Sequence, residues 1–288
     1  MSGFELVWGS ECGVGESPVW DAGNQRILFC DIPGKRINAL SLADGAKNGW
    51  DFPDVVASFG LAQAGRFVVA LRERVVMFDP ASGEIEELTG AMDVPANNRL
   101  NDGKVGPDGA FWVGGIDLSS PRQPTASLYR VTPDGRVEVR GRGYANSNGL
   151  AWSPDGRVMY HADSTASFIE VWDFDPATGD MRNQRVLAKV SAEVGRPDGA
   201  ATDAHGNYWA AAPSIGRVNC FSPGGALLNS MEFPVPGPTM PCFAEGFMYV
   251  TSLREGKAPD VLAANPGLGG LFRMPSTVAG APVGVFGR

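Results

Sequence analysis

Histidine is scarce: His161 and His205 are the only two in 288 residues. That excludes any mechanism built on a histidine cluster, three-histidine zinc sites among them. Cysteine is nearly as rare. Cys12, Cys30, Cys220 and Cys242 show no CxxC spacing, so they read as reduced, buried thiols and not as a disulfide framework. The longest apolar runs, such as Phe67 to Leu71, are far shorter than a membrane span. The opening MSGFELVWGSECG has no basic leader and no apolar core, so no secretory signal is expected and a cytoplasmic location is the default. Positive charge is also short. Lys plus Arg is 24 against 32 for Asp plus Glu, a net charge of −8, which argues against nucleic acid or an anionic membrane as a partner. No GxSxG elbow, GxGxxG turn or GxxxxGK[ST] loop is present, so triad hydrolases and nucleotide-binding folds are not indicated.

What the chain does have is turns. It carries 38 Gly and 22 Pro, with 43% hydrophobic residues. Short runs rich in Val, Phe, Tyr and Trp alternate with Gly-centred turns, which is a strand pattern. One unit recurs six times: DAGNQRILFCD, QAGRFVVAL, PDGAFWVGG, PDGRVMYHA, AHGNYWAAA and AEGFMYVTS. Their glycines, at 23, 65, 109, 156, 206 and 246, are spaced 42, 44, 47, 50 and 40 residues apart. A second turn class lies between them, as in FDPASG and FDPATG. Two hairpins per unit mean four antiparallel strands in roughly 40–50 residues, the dimensions of a propeller blade. The expected fold is all-β, a six-bladed β-propeller forming one domain over residues 1–288. A β-sandwich with two kinds of Gly-rich hairpin is the alternative, and the regular spacing disfavours it. A strand at Phe4 to Trp8 is expected to close the ring with the last blade.

Counting back from each turn glycine aligns the inner strands. Glu16, Asn101, Asn148 and Asp198 then fall at one level in four units, while Ala57 and Pro238 stand there in the other two. Pseudo-rotational symmetry would bring the four oxygen-bearing side chains together at the channel mouth. Oxygen donors suit a hard divalent cation: Ca²⁺ first, with Mg²⁺, Mn²⁺ or Zn²⁺ as alternatives. The competing reading is that Asn and Asp before Gly merely stabilise turns.

The strings GESPVWD, NNRLNDGKVGPDG, SNGLAWSPDG and RPDGAATDAHG resemble the sugar-lactonase family of regucalcin (senescence marker protein), gluconolactonase and luciferin-regenerating enzyme. FDPATG and GGLFRM fit as well. The resemblance runs from about Cys12 to the C-terminus, and it implies a six-bladed propeller. It also implies Glu16, Asn148 and Asp198 as metal ligands, with Asp198 doubling as general base. By the same resemblance, Asn101 and Arg99 contact the substrate. One departure stands out: many members carry a sugar-binding Glu where this chain reads GGIDLSSPRQP. Asp117 or Ser119 is left to take that place, so a specific glucono- or gulonolactone assignment does not follow.

The expected function is metal-dependent hydrolysis of a small-molecule sugar lactone by a monomer or weak dimer. Hydrolysis of another ester or an organophosphate at the same site is one alternative, and a non-enzymatic calcium-binding propeller is another. His161 reads as a satisfied structural residue, and His205 as an exposed turn residue. Trp20 and Trp152 read as packing between blades. Asp203, beyond the aligned Thr202, is expected to face solvent.

Overall fold

Each repeat becomes one blade because its strands are too short and too apolar on one face to stand alone. The computed structural model describes residues 3–288; Met1 and Ser2 lie outside the described residues. Six four-stranded antiparallel sheets form the ring. Their inner strands are Gly15–Asp21, Ser58–Leu61, Asn98–Val105, Ser147–Trp152, Ala200–Thr202 and Pro238–Ala244, for blades one to six. Glu5–Trp8 pairs with Leu271–Pro275 as the outermost strand of blade six. The first strand therefore closes the ring, as the sequence led us to expect. One short helix, Pro259–Ala264, interrupts blade six.

The core is divided among the seams between blades. Phe59, Phe67 and Phe78 of blade two pack on Leu28 and Ile37 of blade one. Trp112 of blade three meets Trp152 and Phe174 of blade four, with indole centroids 6.2 Å apart. The other four seams repeat the arrangement. Burying each large apolar side chain contributes about 1.5–3 kcal/mol, and the gain is spread around the ring. Trp152 thus packs between blades as expected, and Trp20 lies partly buried against the seam of blades six and one. All four cysteines are buried and free.

A β-bulge interrupts the inner strand at one level in four blades: Glu16/Val19, Leu100/Gly103, Asn148/Ala151 and Pro238/Pro241. An extra residue there bends the strand and re-aims its side chains. In blade four the bulge holds Gly149, at φ 67°, where a Cβ would run into the Tyr208 hydroxyl. Only glycine meets both demands, the left-handed backbone and the close approach.

At the opposite end of the channel the C-terminal residues form a strap. Ala281 N donates to Thr202 O in blade five (2.9 Å), and Phe286 N to Leu61 O in blade two (2.8 Å). Gly287 N then reaches Gly109 O of blade three at 2.9 Å.

Candidate active site at the channel mouth

The bulges turn the beginnings of the inner strands toward one end of the channel. Glu16, Asn101 and Asn148 are buried there, at 6%, 7% and 2% exposure. Asp198 is half-buried beside them. Asn101 Nδ2 donates to Asn148 Oδ1 at 3.1 Å and to Ser147 O at 3.0 Å. Arg99 Nη1 donates to Asn101 Oδ1 and to Leu100 O, both at 2.8 Å. The structure thus joins Arg99, Asn101 and Asn148 in one hydrogen-bonded cluster.

Sheet pairing keeps the register. Leu100 pairs with Gly115 and Ser147 with Asp163, each opposite the fifth residue of a neighbouring strand counted from Phe111 or Met159. Asn101 and Asn148, the next residues, are therefore level. The turn of blade four is one residue longer, since Ser153 N closes on Val158 O where Gly106 N closes on Ala110 O, but the extra residue follows the turn glycine.

The site is electrostatically unbalanced. Burial pushes the Glu16 carboxyl well above the usual carboxylate range, and the Asp198 and Asp102 charges push it further. Burial, with Asp102, pushes Asp198 up to about 8. Glu16 and Asp198 thus feel each other's charge and that of Asp102, a repulsion that a cation would relieve. Asp102 takes the Leu150 amide on one oxygen at 3.1 Å, while its buried Oδ1 has no partner. Lys104 supplies one positive charge, but burial lowers its pKa, and its ammonium donates to Ala200 O at 2.7 Å. Among the described residues no three His, Cys, Asp or Glu side chains cluster as a metal site. The donor set proposed from the sequence has two carboxylates and an amide, so it differs in kind from such a cluster.

The amide of Asn148 is oriented from behind. Its Nδ2 donates to Ser164 Oγ at 2.7 Å, and that hydroxyl donates to Pro197 O at 2.6 Å, one residue before Asp198. A second buried chain supports Ser147. Its Oγ lies 2.6 Å from His161 Nε2, and His161 Nδ1 lies 2.9 Å from Glu170 Oε1. Tyr144 and Gln184 also donate to Glu170, at 2.8 and 2.6 Å. An ionised Glu170 only accepts, so His161 Nδ1 donates to it. Ser147, His161 and Glu170 resemble a catalytic triad, but Ser147 and His161 are fully buried. The hydroxyl also fills the space that a Cβ on Gly114 would occupy. The chain therefore braces the strand and offers no accessible nucleophile. This bears out the structural reading of His161, while exposed His205 lies in its turn.

Two aspartates differ from expectation in their surroundings. Asp117 spends its carboxylate on its own loop, accepting from Ser119 N, Ser119 Oγ and Gln123 N. It clamps the loop that follows, which carries Arg122. Asp203 does not face solvent; it is 1% exposed. Its carboxylate accepts from His205 N, Asn207 N, Asn207 Nδ2 and Trp209 Nε1, each at 2.9 Å. The turn that looked like a surface feature is folded around it.

Sequence reasoning passed over Asp102, Lys104, Ser164 and Glu170. Asp102 and Lys104 sit in NDGK, where Asn101 drew attention as the aligned residue. Ser164 and Glu170 lie on other strands, and only the fold brings them to the site.

Comparison with known proteins identifies the family. Residues 14–254 match the family model described as SMP-30/Gluconolactonase/LRE-like region. A 6-deoxy-6-sulfogluconolactonase of Pseudomonas putida is 35% identical over 95% of this chain and 94% of its own. Regucalcin of Oryctolagus cuniculus is 33% identical over 94% and 93%. A solved structure of luciferin-regenerating enzyme superposes with a TM-score of 0.88 at 29% identity, covering 98% of each chain. The chain belongs to the SMP-30/gluconolactonase/LRE-like family.

Proposed function

We propose that the protein is a metal-dependent lactonase that opens a sugar lactone to its acid. The observation that carries this reading is the convergence of Glu16, Asn148 and Asp198 beside the Arg99–Asn101 pair at one end of the channel. The donor set fits a hard divalent cation, with Ca²⁺ the first candidate: its oxygens are anionic or amide, and its carboxylates repel one another until a positive charge is present. Glu16, Asn148 and Asp198 would hold the ion, which polarises the lactone carbonyl when bound. Ser164 keeps the Asn148 amide nitrogen turned away, so its oxygen faces inward. Asp198 is the proposed base, taking a proton from the attacking water and returning it to the ring oxygen as the ring opens. Arg99 and Asn101 orient the substrate, since Arg99 holds N–H groups beyond those bonded to Asn101 and Leu100.

A pH-indicator assay on a panel of aldonolactones, before and after exhaustive chelation, tests this. Turnover should vanish on chelation and return with added divalent metal, while the circular dichroism keeps its β signature. Activity that persists with no metal detectable by elemental analysis would falsify the metal mechanism.

A further inference from the structure

The protein is acidic, yet its channel mouth holds arginines without partners. Among the described residues, thirteen of the nineteen arginines pair with a carboxylate within 4.0 Å. Arg99, Arg122 and Arg196 are among the six that do not, and all three stand around the candidate site.

Their anchoring places them together. Arg99 lies against the Asn101 amide through Nη1, and no protein acceptor meets its Nε or Nη2. Its strand partner is Ile116, and the next residue, Asp117, holds Arg122 through a 3.1 Å bond from Arg122 Nε to Asp117 O. Neither terminal nitrogen of Arg122 finds a protein acceptor. Asp117 fixes that loop with its carboxylate, so the guanidinium is presented by a clamped backbone. Arg196 precedes Asp198 by two residues, and its amide is tied to Ser214 Oγ at 2.9 Å.

Arg122 is near enough to both Arg99 and Asp198 to act on their charges. Burial first, then the charges of Arg72 and Arg122, bring the half-buried Arg99 down to about 10, with Cys30 and Glu255 opposing them. Arg196 and Arg122 both draw on the Asp198 carboxyl. Arg72 itself is turned to Asp54 at 3.6 Å. The N–H groups that Arg99 and Arg122 do not spend on the protein are left for a ligand oxygen. A guanidinium fork fits a planar or tetrahedral oxyanion through paired N–H bonds.

We infer that the substrate carries an anionic group remote from the lactone carbonyl, and that Arg122 and Arg99, with Arg196, form its binding subsite. The inference rests on the lactonase reading for the ring itself. The anion is an oxyanion of the sulfonate, phosphate or carboxylate type. It takes the side of the mouth formed by the loop that Asp117 clamps. Arg122 is thereby a specificity-determining residue, held at the mouth through Asp117 O.

The test compares kcat/KM for D-glucono-1,5-lactone with its 6-phospho, 6-deoxy-6-sulfo and 6-carboxylate counterparts, at low and high salt. At least one anionic lactone should be preferred about ten-fold or more, and the preference should shrink with salt. Arg122→Gln should lower the anionic-to-neutral ratio by about ten-fold or more, and Arg122→Lys by less, because it keeps charge but loses the fork. Equal kcat/KM for neutral and charged lactones, or a ratio unmoved in folded Arg122→Gln, overturns the inference. The open-chain acids, titrated calorimetrically, separate this from failure of the lactonase reading. If no lactone is turned over, tighter binding of 6-phosphogluconate or 6-sulfogluconate than of gluconate, lost in Arg122→Gln, still upholds the anion subsite. Equal binding overturns it.

Discussion

Asp198 and Asp203 are five residues apart, and the fold gives them different work. Asp198 lies in the mouth among repelling carboxylates, whereas Asp203 is enclosed by four N–H donors of its own turn. Asp198→Asn should keep the fold and lower kcat on the order of 10² or more, measured at saturating metal on a lactone that the panel identifies. Asp203→Asn should do the reverse. It turns an NH₂ toward donors and leaves a buried group unpaired, at about 1–3 kcal/mol in a urea melt, with kcat of the folded fraction unchanged. An inactive but fully stable Asp203→Asn would misplace the site. Glu170 makes a pH-dependent contribution. Burial raises its pKa, yet bonds from His161, Gln184 and Tyr144 outweigh that and hold it below 4.5. A depressed carboxyl stabilises the fold fully above its unfolded pKa and loses that contribution as pH falls through the folded value. Stability measured from pH 6 down to pH 3 should therefore fall less steeply in Glu170→Gln than in the wild type. Parallel slopes would remove Glu170 from the account.

At the scale of the strand, the inner-strand bulges decide which side chains reach the mouth. The repeat was legible because its turn glycines recur every 40 to 50 residues, and so was the closing strand. Glu16, Asn101, Asn148 and Asp198 could be aligned because each stands at a matching count before its turn glycine. Asp203 was misjudged because DAHG looks the same whether a turn lies open or wraps its own carboxylate. Arg122 and Arg196 escaped notice because their lack of carboxylate partners is a property of three-dimensional neighbours. The closing strand offers its own test. Phe4 is 8% exposed and meets Phe233 edge-on at 5.0 Å. Phe4→Ala should cost about 3 kcal/mol, while kcat at 20 °C stays that of the wild type, since the residue is remote from the mouth. A stability change near zero would mean that blade six holds without its outermost strand.

For the molecule as a whole, six separate seams carry the apolar burial, so folding does not hang on the ion. Metal should raise the melting temperature only by the mass-action term, which grows with the logarithm of metal concentration over its dissociation constant. The strap across the far end adds something else. It fastens blade five to blade two, which face each other across a six-membered ring. Such a crossbar sets the diameter at one rim, and a rigid blade carries that setting to the other rim as a lever does. Asp198 precedes the inner strand of blade five, whose far end the crossbar holds. A side chain added at Gly280, whose Cβ would press on Phe243 at 2.8 Å, should therefore shift Asp198 relative to Glu16 and Asn148, the proposed ligands, from the far side of the ring. The back of this propeller is an adjusting screw for the front.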